Sequence, residues 1–132
     1  MRIVFVAALG LILSSTPPSA AKPSLQQKKF DQQMLKLDLG TRVEQQCDAR
    51  AGGVVSREHK GLRVDQVIAY AFSDPVIRGT EVTAPGAIVR SKGKWYRLSY
   101  RCRTTADGTG IEFFEHSLGP EVPGWTIDRL VR

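Results

Sequence analysis

The chain has 132 residues, 19 of them Lys or Arg and 13 Asp or Glu, for a formal charge of +6. It holds no internal repeat and no low-complexity tract, which leaves one small domain with one modest core. A positive surplus favours anionic partners over acidic-surface avoidance, without choosing among nucleic acid, lipid headgroups and acidic polymers.

The first residues read as a leader. Met1-Arg2 is followed by 11 residues without a polar side chain, Ile3 to Leu13, then by Ser14 to Pro18 and the small residues Ser19-Ala20-Ala21. A positive start, a short apolar run and small residues before a cut after Ala21 predict a secretory signal peptide over residues 1–21. As a helix the apolar run would reach only about 16 Å, against a hydrocarbon core of about 30 Å. Processing removes one charged residue, Arg2, so the basic surplus persists. The expected product is an exported periplasmic domain, residues 22–132, with no transmembrane segment once the leader is gone.

Cys47 and Cys102 both lie beyond the cut. In an oxidising compartment an even pair favours a disulfide over free thiols. Closing a loop of about 56 residues stabilises a fold by roughly 4 kcal/mol in the chain-entropy model. A metal site or catalytic thiol has less support, because there is no CxxC and neither His59 nor His116 stands at ligand spacing from a cysteine. No metal and no cofactor is expected.

Ser24-Leu-Gln-Gln27 fits a capping box, and Phe30, Met34 and Leu37 follow at i, i+4, i+7, predicting a first helix with a thin apolar stripe. Asp38-Leu39-Gly40 reads as a break. Thr41-Arg-Val-Glu44 is a second capping box, with Val43, Cys47 and Ala51 on one face and Gly52-Gly53 as the expected end of the second helix. Leu62, Val64, Val67, Ile68, Ala71 and Phe72 predict a third helix over 62–72, stopped before Pro75.

From there short extended runs alternate with Gly and Pro. Thr80–Thr83 is a predicted strand, Ala84-Pro-Gly-Ala87 a type II turn, and Ala87–Ser91 a second strand. Lys92-Gly93 is a two-residue turn into Lys94–Arg103, the strongest strand pattern in the chain. That turn pairs Arg90 with Trp95 and Val89 with Tyr96. On the long strand Tyr96, Leu98, Tyr100 and Cys102 share one face, while Trp95, Arg97, Ser99, Arg101 and Arg103 share the other. Asp107-Gly108 turns the chain into a last strand, Ile111–Leu118. Of its two possible registers, Cys102 opposite Phe114 with Arg101 opposite Glu115 is preferred, because it buries Phe114 and Leu118 and sets a cation across from an acid. Trp125, Ile127 and Leu130 in the tail are expected to cap the core.

The expected fold class is α+β: two or three N-terminal helices on one face of a curved antiparallel sheet of about four strands. With Cys47 and Cys102 both core-facing, a disulfide would staple the second helix to the long strand.

Leu37-Asp-Leu-Gly-Thr-Arg-Val-Glu-Gln-Gln-Cys-Asp48, Ala84–Ala87, Arg90–Ser99 and Leu118–Pro123 together resemble an uncharacterised bacterial family, domain-of-unknown-function family 930. The resemblance spans roughly residues 37 to 125. It implies an exported, envelope-associated protein of Gram-negative bacteria in which the Cys47 and Cys102 pairing is a family feature. It brings no activity with it.

Function is read from the basic face. Arg90, Trp95, Arg97, Arg101 and Arg103 on one sheet face form a predicted binding surface, with Arg97 to Arg103 spanning about 20 Å. Guanidinium groups pair bidentately with carboxylates and phosphates, and a tryptophan adds stacking. The expected partner is an anionic envelope component or an acidic protein; the compartment argues against nucleic acid. The competing reading is an ordinary solvated face, neutralised by Glu112 or Glu115. A second docking element is the Phe30, Met34, Leu37 stripe. A hydrolase built on His116 or His59, with Asp48, Glu112 or Glu115 as partner, finds no catalytic frame such as GxSxG, HExxH or SxxK.

Overall fold

The computed structural model describes residues 22–130. The predicted leader and the last two residues of the predicted tail lie outside them. The elements are α1 (Leu25–Met34), α2 (Leu39–Glu58), β1 (Val64–Ile68), β2 (Val76–Arg78), β3 (Glu81–Ser91), β4 (Lys94–Thr104), β5 (Ile111–Glu121) and a short 3-10 turn, Ile127–Leu130. The five strands form an antiparallel sheet in the order β1-β3-β4-β5, with β2 pairing the first part of β3.

Ser24 caps α1 by accepting from the backbone N–H of Gln27 at 3.1 Å, although the Gln27 side chain turns to Asp31 rather than back to Ser24. The start of α2 differs from the sequence expectation. Asp38 is the N-cap: its carboxylate accepts from the Thr41 N–H at 3.0 Å and from the Thr41 hydroxyl. An acid satisfies the free N–H groups and the positive helix end together, so Asp38-Leu39-Gly40 opens a helix instead of breaking one.

Gly52-Gly53 does not end α2, which runs on to Glu58. A Cβ on Gly52 would stand 3.5 Å from both Val64 and Val67, ordinary van der Waals contact, so β1 packs directly against the helix at this position.

The third helix predicted over 62–72 is instead β1 and a loop. Val64 pairs with Ser91 and Val67 with Val89, and a register shift falls between Val64 and Gln66. The bulge adds one residue to the strand, so two positions three apart face α2 together. That spacing imitates a helical period. The type II turn at 84–87 is likewise absent: β3 continues through a bulge there, with the register shift between Ala84 and Ala87. A Cβ on Gly86 would collide with Ser73, so this glycine serves the close approach of the 69–75 loop, whose Phe72 N–H donates to the Gly86 carbonyl at 2.9 Å.

The hairpins follow the expected registers. Arg90 lies opposite Trp95 and Val89 opposite Tyr96, while Cys102 faces Phe114 and Arg101 faces Glu115. Val43, Cys47, Ala51 and Val55 of α2 pack on Val82, Ala84, Val89, Leu98, Tyr100 and Cys102. The Cys47–Cys102 disulfide closes this contact, with a Cα–Cα distance of 5.9 Å. A second, smaller core lies on the other face, where Ile68, Ile88, Trp95 and Trp125 are buried together. Of the predicted tail residues, Trp125 caps this second core and Leu130 packs against it, while Ile127 is exposed.

α1 buries no residue. It is held through Arg42, whose guanidinium donates to the carbonyls of Met34 (3.0 Å) and Leu37 (2.8 Å) behind α1 and to that of Asp107 in the β4–β5 loop. Gly108, at φ 75°, completes the clasp: a Cβ there would press to 3.2 Å from the Arg42 side chain. Arg42→Ala is expected to cost roughly 2 kcal/mol, the scale of charge-assisted bonds to carbonyls. Hydrogen exchange should accelerate in residues 25–37 and 105–110 while β3 and β4 stay protected; unchanged exchange in α1 would show that other contacts hold it.

Candidate functional site

The predicted arginine face divides into two unlike halves. At one end Trp95 is only 7% exposed, packed against Trp125 with ring centroids 4.5 Å apart. Arg90 lies over its ring at 5.5 Å and donates to Asp65 at 2.9 Å. Arg97 covers the Phe72 ring at 3.9 Å, so its guanidinium roofs the second core. Trp95 is therefore a core residue, and no aromatic platform stands free at this end.

The other end of the same face is open. Cross-strand rows place Arg78, Glu81, Arg103 and Phe113 side by side, and next to them Val76, Thr83, Arg101 and Glu115. Arg101 donates to Glu115 at 3.0 Å, and Arg103 donates to Glu112 and Glu81 at 3.3 and 3.4 Å. Phe113 is 37% exposed with both guanidinia about 6 Å from its ring (6.0 and 5.8 Å). The structure thus brings Arg101 and Arg103 together and separates them from Arg90 and Trp95. Each cation is matched by an acid on a neighbouring strand. Such exposed pairs contribute roughly 0–1 kcal/mol each, so a partner's acid can replace the protein's own at little cost.

Asp48 on α2 accepts a hydrogen bond from the Tyr100 hydroxyl of β4. It lines a cleft of about 520 Å³ with Glu44 and Asp65, walled by Phe30, Val67 and Leu130. Burial pushes the Asp48 carboxyl up to about 6, opposed by the Tyr100 bond and aided by the Glu44 charge. Burial, then the Asp48 charge, raises Tyr100 too, which keeps its phenol protonated as donor.

His59, the residue after α2, and His116 on β5 come together although 57 positions apart, Nε2 to Nε2 at 2.9 Å. Glu58 reaches His116 at 3.7 Å. Among the described residues no hydroxyl or thiol bonds to either imidazole, and no group of three or more His, Cys, Asp or Glu is placed to hold a metal. Of the acids suggested as their partners, Glu112 and Glu115 pair with arginines and Asp48 with Tyr100. The two histidines gave no sign of this contact in sequence, since only the docking of β5 beside the end of α2 creates it.

These features define a disulfide-linked α+β protein in which one long helix crosses an antiparallel sheet whose open face carries paired arginines. Residues 34–130 match the family described as Domain of Unknown Function (DUF930), and the chain belongs to it. No curated protein and no solved structure matches the chain.

The Asp48 environment makes stability depend on pH. The carboxyl lies at 3.8 in the unfolded reference and at about 6 in the fold, so the folded state holds the extra proton between those values. Its stabilising contribution is complete below pH 3.8 and is lost as pH rises through 6. Asp48→Asn keeps a neutral acceptor for Tyr100, and it should exceed the wild type at pH 7 by on the order of 3 kcal/mol. Urea denaturation of both proteins from pH 7 to 4 should show this gap closing; a gap independent of pH would overturn the account.

Proposed function

We propose that this chain is a small exported protein of the periplasm that binds rather than catalyses, docking an anionic component of the cell envelope on the open end of its sheet face. The observation that carries the reading is the exposed Phe113 set between the Arg101 and Arg103 guanidinia. The opposite end of the same face is closed over by Trp125, Phe72 and Leu130. An apolar ring flanked by two forked donors suits a surface that presents carboxylates or phosphates beside apolar groups. The positive formal charge, +6 for the whole chain and +5 once Arg2 leaves with the predicted leader, draws such a partner in at low ionic strength. The predicted leader and the disulfide agree with an oxidising compartment. No described helix is long and apolar enough to cross a membrane.

A second reading is favoured by α1. Leu25 is 69% exposed, and Phe30, Met34 and Leu37 are only half-buried. This helix would then dock on an envelope protein through its apolar side.

Co-sedimentation with isolated envelope fractions at low and high salt tests the first reading. Wild type should pellet at low salt and be released at high salt. A folded, disulfide-intact variant carrying Arg101→Gln and Arg103→Gln should stay in the supernatant. Equal retention of the two proteins would reject the sheet face and move the docking role to α1.

A further inference from the structure

On the sheet face Arg90, Arg101 and Arg103 pair with acids, and on α2 Arg50 and Arg57 do not. Arg50 and Arg57 form no ion pair and no hydrogen bond among the described residues. With Gln46 and Gly53 they fall at i, i+4, i+7 and i+11 along one side of the helix, a single stripe by the 3.6-residue turn. This stripe lines a cleft of about 370 Å³ between α1, α2 and the start of β5. No Asp or Glu is among the residues lining it; the same two arginines also line an adjoining cleft of about 560 Å³ with Glu58, Glu112 and Glu115, but among the described residues none of these acids pairs with either guanidinium.

Two further details point into this cleft. Gln46 is 6% exposed, and its amide nitrogen has no acceptor in the protein. A buried donor without a partner is costly, so a ligand group that reached it and accepted its hydrogen bond would relieve that cost. Gly53 sits in the interior of α2, where glycine is about 1 kcal/mol worse than alanine. A Cβ there would stand 3.1 Å from an Arg57 guanidinium nitrogen. The missing side chain leaves room for that guanidinium to fold back along the helix beside the cleft.

We propose that this cleft binds the phosphate group of a small phosphate ester, with Arg50 and Arg57 as the charged donors and the Gln46 amide as a third. Two forked guanidinia and an amide match an oxyanion with three terminal oxygens better than they match a carboxylate with two. The volume falls in the range of small-molecule sites and far exceeds one water, so it holds more than inorganic phosphate. Phe30 of α1 and Ile111 of β5 supply apolar wall for the organic part. The lining of this cleft includes no residue of the open sheet-face rows, although Arg50 and Arg57 also border Glu112, Phe113 and Glu115 in the adjoining cleft, so separate variants distinguish the two sites.

The test is calorimetric titration of the disulfide-intact protein with phenyl phosphate, beside arms with inorganic phosphate and with phosphatidylglycerol vesicles. Phenyl phosphate should bind saturably and more tightly than inorganic phosphate. Arg50→Gln and Arg57→Gln should each weaken it about tenfold, while Arg101→Gln with Arg103→Gln leaves it unchanged. Gln46→Met should weaken binding without lowering the melting temperature, since it removes a donor that no protein group uses. Gly53→Ala should raise the melting temperature yet weaken binding, a combination that a purely structural stripe would not produce. Vesicle binding that depends on Arg50 and Arg57, without binding of the free ester, would overturn the soluble ligand and assign the phosphate to a lipid headgroup. Absence of binding in every arm, or binding indifferent to Arg50→Gln and Arg57→Gln, would overturn the site.

Discussion

Cys47 lies in the middle of α2, and Cys102 lies in the core-facing row of β4 just before buried Thr104, so their disulfide ties the long helix to the sheet within the larger core. Most other features depend on that crossing. β1 packs on the helix at Gly52, Asp48 meets Tyr100, and the end of α2 brings His59 to His116. The covalent tie constrains the unfolded chain over a separation of 55 residues, worth about 4 kcal/mol. For a chain of this size, whose core buries a limited share of its surface, that is a large fraction of the total stability.

The sheet is buried on both faces, but unequally. α2 covers one face along its length, while the 69–75 loop and the tail cover only the Trp95 end of the other. This unequal cover decides what each arginine does. Arg97 roofs an aromatic ring and Arg90 pairs beside one, whereas Arg101 and Arg103 stand in open rows with acids from the neighbouring strands. Charge alternation across those rows keeps the exposed end soluble and its arginines weakly held. On α2 neither Arg50 nor Arg57 pairs with an acid among the described residues, and the groove they line with Gln46 holds no carboxylate, while Glu58, Glu112 and Glu115 border them in the adjoining cleft.

Local patterns carried much of the architecture because their causes are local. Alternation along Lys94–Arg103 sets the two faces of β4, and the Lys92-Gly93 turn sets its register with β3, down to Arg90 opposite Trp95. The register of the last hairpin followed from burying Phe114 and pairing Arg101 with Glu115. Where a contact distant in sequence replaced a local rule, the pattern misled. The Val64 and Val67 spacing belongs to a bulged strand because β3 and Gly52 are there to receive it. Gly86 looks like a turn residue until Ser73 is found against it, and Gly52-Gly53 look like a helix end until β1 and Arg57 fill the space they leave.

The sequence by itself determined the α+β class, the core face of β4, the register of the β3–β4 hairpin and the cysteine pairing, and it favoured one of two registers for the last hairpin. Each follows from side-chain period, turn chemistry or the placement of two thiols on buried faces. The tertiary structure alone decided which charges are free. Periodicity reports the side of an element a residue occupies, not what another element sets opposite it. Trp95 thus became core rather than platform, Arg42 became a clasp for α1, and Arg50 and Arg57, ordinary on paper, came to line a cleft that holds no acid.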